Sequence, residues 1–170
     1  AGADALRPGE RAIDFALGVL PSADPYQVWG LFDLHGDEGR LYEIDLLVLG
    51  YSGLYLVEVK SRPGIYRGDH QDWQVETAGR ARPALMDNPY RLTNHKSKVL
   101  SSLLRRKLAH PPWVYPLIFL SAEELELRLG PHASTGVVTR KTLARALTHH
   151  EFPGSKLDEV RRPVNTPMMR

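Results

Sequence analysis

Apolar residues recur along this chain with two periods, and the switches between them mark its elements. Behind Pro8, the run Glu10 to Leu17 carries Ile13 and Leu17 four apart on one line. That spacing predicts a helix with proline in its first turn, ending near Pro21. Glu10 lies three residues before Ile13 on the same inward line, so it either approaches a site or caps its own helix N-terminus. Tyr26 to Leu34 reads as a first strand, followed by a His35–Gly39 turn. Leu41 to Leu49 and Leu54 to Lys60 then flank Gly50-Tyr51-Ser52-Gly53, two β-prone runs around a short glycine-bounded turn, which predicts a β-hairpin.

Ser61-Arg62-Pro63-Gly64 reads as a turn, and Ile65–Arg67 with Asp72–Thr77 as a smaller hairpin with Trp73 and Val75 on one side. Asn88-Pro89 opens a long helix to about Leu108, closed by Pro111-Pro112. Leu92, Val99, Leu100, Leu103 and Leu104 form its apolar stripe, with Lys96 inside the stripe and Arg105, Arg106 and Lys107 mostly outward. Trp113–Leu120 reads as an apolar strand, Glu124–Leu129 as a half-buried one, and Thr139–Leu147 as a short capped helix. This order is an α/β layer pattern, a central mixed sheet flanked by helices.

The hairpin carries the chemistry. A turn symmetric about Tyr51 and Ser52 sets Asp45 directly opposite Glu58, and Glu43 opposite Lys60. One face then holds Leu47, Leu49, Leu54 and Leu56, the other Ile44, Leu46, Val48, Tyr55, Val57 and Val59. A hairpin apolar on both faces is a buried one. Opposed carboxylates repel unless a cation sits between them, and a hard divalent ion with oxygen ligands suits that place. Two carboxylates and a lysine around Mg²⁺ make a phosphodiester hydrolysis site. A plainer reading stands beside it, in which Glu43–Lys60 is a cross-strand ion pair and the other two acids are solvated at a sheet end. A three-residue turn would shift the register and break the alignment altogether.

Composition narrows the setting. The 170 residues are one domain's worth, with a 42% hydrophobic and 25% charged content that suits a soluble globular protein. Cysteine is absent, which excludes disulfides and thiolate metal sites and leads us to expect a cytoplasmic location. Leu46 to Val57, the longest uncharged apolar stretch, is too short to span a bilayer. No signal-peptide pattern is visible, and Ala1-Gly2 reads as a processed start or one excised from a longer chain. A net charge of +2 predicts little, but residues 33–58 hold six acids and one base, and residues 80–110 eight bases and one acid. An acidic centre beside a basic flank suits a polyanion, although a charge run is more often a solvated helix face.

An Asp on one hairpin strand and Glu-X-Lys on the next, in helix–strand–hairpin–helix–strand order, resembles the PD-(D/E)XK nuclease superfamily with its restriction-endonuclease-like fold. Within it, Gly9-Glu10, Glu43-Ile44-Asp45, Gly53-Leu54-Tyr55, Val57-Glu58-Val59-Lys60-Ser61, Gly64, Trp73 and Asn88-Pro89 are together similar to the nuclease-related domain, NERD, over roughly residues 8–125. The basic helix Asn88–Leu108 and Val137-Val138-Thr139-Arg140 also resemble the amino-terminal domain of large kinase-like proteins of phage growth limitation (BREX/Pgl-type) defence systems. The resemblance implies Mg²⁺-dependent cleavage of DNA, with Mn²⁺ as a substitute ion. Asp45 and Glu58 would be metal ligands with the main-chain carbonyl of Val59, Lys60 would orient the attacking water, and Glu10 would be a helix acid near the metal. Lys96, Lys98, Arg105, Arg106 and Lys107 are the expected DNA contacts.

The tail from Pro153, with Pro163 and Pro167, reads as a linker over 153–170 after a domain over residues 1–152, leading toward a following domain or a defence-complex subunit. Dimerisation, frequent where such enzymes cut both strands, and no membrane association complete these expectations. One position departs from the family, which often has Gln four residues after the Asn of Asn-Pro; here it is Leu92, with Lys96 one turn later as a replacement. That departure leaves room for two further readings, a catalytically inactive DNA-binding module and a protein-interaction scaffold. The remaining motifs carry less. Gly50-Tyr51-Ser52-Gly53 lacks nucleophile-elbow spacing. His149-His150 falls at a helix C-terminus, which attracts His electrostatically. Trp29, Trp73 and Trp113 read as packing.

Overall fold

Gly53 fixes the hairpin at the centre of the molecule. Its φ of +138° is closed to other residues, and a Cβ there would stand 2.4 Å from the Trp113 carbonyl oxygen. The computed structural model, which describes residues 8–153, builds β2 (Leu41–Gly50) and β3 (Gly53–Lys60) on this turn. Leu46 pairs with Val57, Leu47 with Leu56 and Gly50 with Gly53, the register of a turn symmetric about Tyr51 and Ser52. With β1 (Gln27–His35), β7 (Val114–Leu120) and β9 (Val137–Thr139) they form a five-stranded sheet in the order β1-β2-β3-β7-β9. Its first three strands are antiparallel and its last three parallel.

A second sheet, ordered β6-β5-β4-β8, is built from β4 (Gly64–Gly68), β5 (Asp72–Glu76), β6 (Ala84–Asp87) and β8 (Leu125–Leu129). The parallel pair β3–β7 bends and continues as the parallel pair β4–β8. At the bend the Ser121 N–H donates to the Lys60 carbonyl, and the Gly64 N–H to that of Glu124.

Among the described residues three helices cover the main sheet. Ala12, Ala16 and Leu20 of α1 (Pro8–Val19) and its exit pack with α3 (Leu143–His149) on one face, against Leu46, Val48, Tyr55, Val57 and Phe119. On the other, α2 (Tyr90–Lys107) lays Leu100 over Leu47, Leu54, Leu56 and Val114. Tyr66, Trp73 and Val75 of the smaller sheet form a third cluster with Ile118 and Leu120. No helix among the described residues is long and apolar enough to cross a membrane.

Several expectations change on inspection. The inward line of α1 is Ala12–Ala16–Leu20, and Leu17 is 56% exposed. Alanines let the helix lie close, and Gly30 of β1 makes the space, since a Cβ there would overlap the Ile13 side chain. In α2 the buried residues are Thr93, Lys96, Ser97 and Leu100, whereas Leu92 is 52% exposed. Thr93 and Ser97 donate their hydroxyls to the carbonyls of Pro89 and Thr93, and so are buried without loss. Ile44 sits with Leu47 on the α2 side rather than with Leu46 and Val48, because regular alternation breaks at Asp45. Thr139 ends the short strand β9, and α3 begins only at Leu143. The linker expected over residues 153–170 lies, but for Pro153, outside the described residues.

Candidate active site where two strands part

The β2–β3 ladder stops at Leu46–Val57. Beyond it the strands separate, and the Asp45 carboxylate takes the Val59 N–H at 2.9 Å in place of a main-chain partner. In an extended strand the N–H and C=O of one residue face the same edge, so the Val59 carbonyl opens into the same gap. Lys60 turns the other way, its carbonyl bonded to Ser121 of the loop after β7.

Lys96 enters this gap from α2. Its ammonium donates to the Glu43 carbonyl at 2.6 Å and stands 3.4 Å from Glu58 Oε2. Lys60 Nζ lies 3.8 Å from the other carboxylate oxygen of Glu58. Burial, and after it the charge of Asp45, pushes the Glu58 carboxyl above its ordinary range, against the opposing pull of Lys96 and Lys60. Burial thus outweighs the two ammonium groups that face this carboxylate. The expected Glu43–Lys60 pairing does not form: Glu43 is exposed, its carbonyl is held by Lys96, and Lys60 turns to Glu58.

A cavity of about 610 Å³ opens beside these groups, lined by Glu58, Lys60, Asp87, Asn88, Arg91 and Leu92 among others. Leu92 therefore stands on the cavity wall, not in the core. Asp87 and Arg91, which the sequence pattern did not single out, line this cavity too. Their signal was position, in and just before the first turn of the helix that delivers Lys96.

Glu10 is half-buried in the first turn of α1. That turn rests on β1, where a Cβ on Gly9 would meet Leu31 and one on Gly30 would come 3.2 Å from the Asp45 carbonyl. Among the described residues no three His, Asp or Glu side chains converge tightly enough to hold a metal, so Glu10 is not gathered with Asp45 and Glu58. Of the basic residues, Lys98, Arg105, Arg106 and Lys107 are exposed. Lys96, expected among the DNA contacts, is instead buried with the carboxylates. Ten residues of helix place Arg106 about 15 Å along the axis from Lys96, and Arg106 grips Asp37 through two 3.0 Å hydrogen bonds. His149 and His150 diverge. Thr148 meets the exposed His149, while the His150 ring faces Tyr55 and Tyr115.

A mixed sheet flanked by helices, with Asp and Glu-X-Lys on adjacent strands, is the PD-(D/E)XK-like nuclease fold. The chain belongs to the nuclease-related domain family, NERD, whose family model matches residues 5–121. It is also similar to the probable kinase PglW of Streptomyces coelicolor, with 34% identity over 129 residues. That match covers 76% of this chain and 8% of PglW, so the chain spans a small part of its relative's length. No solved structure matches it.

Proposed function

We propose that this domain is a Mg²⁺-dependent DNA endonuclease within a larger kinase-like phage-defence protein, acting on DNA in the cytoplasm. The observation that carries the reading is the parted end of β2 and β3, where Asp45, Glu58 and the Val59 carbonyl edge face one gap beside an open cavity. These donors fit a hard divalent cation, since all are oxygens and two of them are carboxylates. Asp45, Glu58 and the Val59 carbonyl would hold Mg²⁺, or Mn²⁺ in its place. Such an ion supplies a water of lowered pKa and neutralises phosphate charge.

The chain's own residues do the rest. Lys60, partly exposed and tethered to Glu58, reaches the cavity and orients the attacking water while stabilising the phosphoryl charge. Arg91 lines the same cavity and takes a neighbouring phosphate. Lys98, Arg105, Arg106 and Lys107 meet the DNA backbone further along α2, and cutting both strands brings two copies together.

A second reading is a catalytically silent DNA-binding module, favoured by Leu92 on the cavity wall and by the Lys96 ammonium on Glu58. Plasmid nicking with Mg²⁺ or Mn²⁺ separates the two. Wild type cleaves, and Asp45→Ala, Glu58→Ala and Lys60→Ala do not, although each folds. Undiminished cleavage by purified Glu58→Ala overturns the enzyme reading. Salt-dependent DNA binding with no cleavage by wild type establishes the second.

A further inference from the structure

Lys96 occupies the ground between the two carboxylate strands. Its side chain is 9% exposed, and among the described residues its ammonium meets Glu43 O and Glu58 Oε2 at the distances above. Burying an ammonium costs desolvation, and ordering the long stem costs rotamer freedom. An apolar residue would fill the place more easily, so it is the charge that suits Lys96 to the gap. Glu58 is thereby held from both sides, by Lys96 at one oxygen and Lys60 at the other.

We propose that Lys96 is a positioning residue that serves as the resident cation of the site: it fixes Glu58 between the parted strands and competes with a divalent ion for that carboxylate. The inference rests on the metal site proposed above. Its sign follows from electrostatics. A dication and an ammonium roughly 5 Å apart repel enough to weaken metal binding on the order of tenfold, even at the dielectric of water. Neutralising Lys96 therefore strengthens metal binding, whereas a residue of merely structural value would weaken it or leave it alone. Cleavage moves the opposite way, because Glu58 loses its hold.

The test is calorimetric titration of Mn²⁺ into the 170-residue chain and its Lys96→Met, Lys96→Gln and Lys96→Arg variants, each with and without Asp45→Ala. Affinity is expected to rise on the order of tenfold in the Met and Gln variants and to stay near wild type in Lys96→Arg. It is expected to vanish wherever Asp45 is lost. Added Mn²⁺ should also raise the melting temperature of Lys96→Met more than that of wild type. Should Lys96→Met fail to fold, Lys96→Gln carries the comparison, because its amide still donates a hydrogen bond. Unchanged or weaker binding in the folded neutral variants overturns the competition and leaves the metal site standing. Absence of binding in wild type and in both neutral variants overturns the metal site itself, and this inference with it.

Discussion

Replacing Asn88 tests how the smaller sheet and α2 are locked together beside the cavity. Asn88 is 3% exposed. Its side-chain amide donates to the carbonyls of Asp69 and Ala133, each at 3.2 Å, and its Oδ1 accepts the Tyr90 N–H at 3.0 Å. Its own N–H donates to Gln71. Asn88→Ala removes the three side-chain bonds, each worth about 1 kcal/mol net, so the loss should be about 2–4 kcal/mol. That is a large share of the stability of a domain this size. Asn88→Asp sharpens the test. A carboxylate keeps the Tyr90 bond and suits a helix N-terminus, but it turns two donors into acceptors facing two carbonyls. If the contacts are as described, Asp costs as much as Ala or more. Urea unfolding followed by circular dichroism measures both, with an unchanged m value showing that stability alone has moved. An Asp variant within about 1 kcal/mol of wild type would refute the assigned orientation of the amide.

Three other outcomes are expected. Gly53→Ala forces a side chain into a left-handed backbone and against the Trp113 carbonyl, with an expected loss of about 2–4 kcal/mol in thermal or urea melts; under about 1 kcal/mol would contradict the turn geometry. In the metal-free protein the raised Glu58 carboxyl binds a proton more readily folded than unfolded, so its stabilising effect is full at low pH and is lost as pH rises above its ordinary 4.5. The stability of Glu58→Gln relative to wild type should therefore grow toward neutral pH, and parallel pH curves would refute this. Asp37→Ala should leave stability unmoved, since its pair with Arg106 is solvent-exposed, yet strengthen DNA binding at low salt by freeing Arg106; unchanged affinity would remove that end of α2 from the interface.

The sequence disclosed the hairpin and its register because two apolar strands around a four-residue turn admit few alternatives. It predicted Asp45 directly opposite Glu58 and Glu43 opposite Lys60, an opposition that does not form, because the ladder stops at Leu46–Val57. It did not disclose where the ladder ends, because that depends on Lys96, 53 residues from Glu43 and 38 from Glu58 along the chain. It placed Lys96, Val99, Leu100, Leu103 and Leu104 on the inward side of α2, but not Thr93 and Ser97 in place of Leu92. Thr93 and Ser97 look like surface residues until their hydroxyls are seen bonded to the helix itself, and Leu92 looks like core until it is seen on a cavity wall. The short strands β6 and β9 carry too few residues to show a period. The Arg106–Asp37 clasp joins residues no local pattern connects.

The parallel pairing of β3 with β7 has a consequence for biogenesis. Leu54 pairs with Val114 and Lys60 with Leu120, partners sixty positions apart in the chain. The hairpin carrying Asp45, Glu58 and Lys60 is local and can close early, but one of its edges is sheathed only when β7 arrives. Such distant pairings carry a large loop-closure cost and slow folding. During synthesis, at roughly 5–20 residues per second, the acidic hairpin therefore leaves the ribosome seconds ahead of the strand that completes its sheet. Over that interval the edge of β3 that β7 will cover stands open.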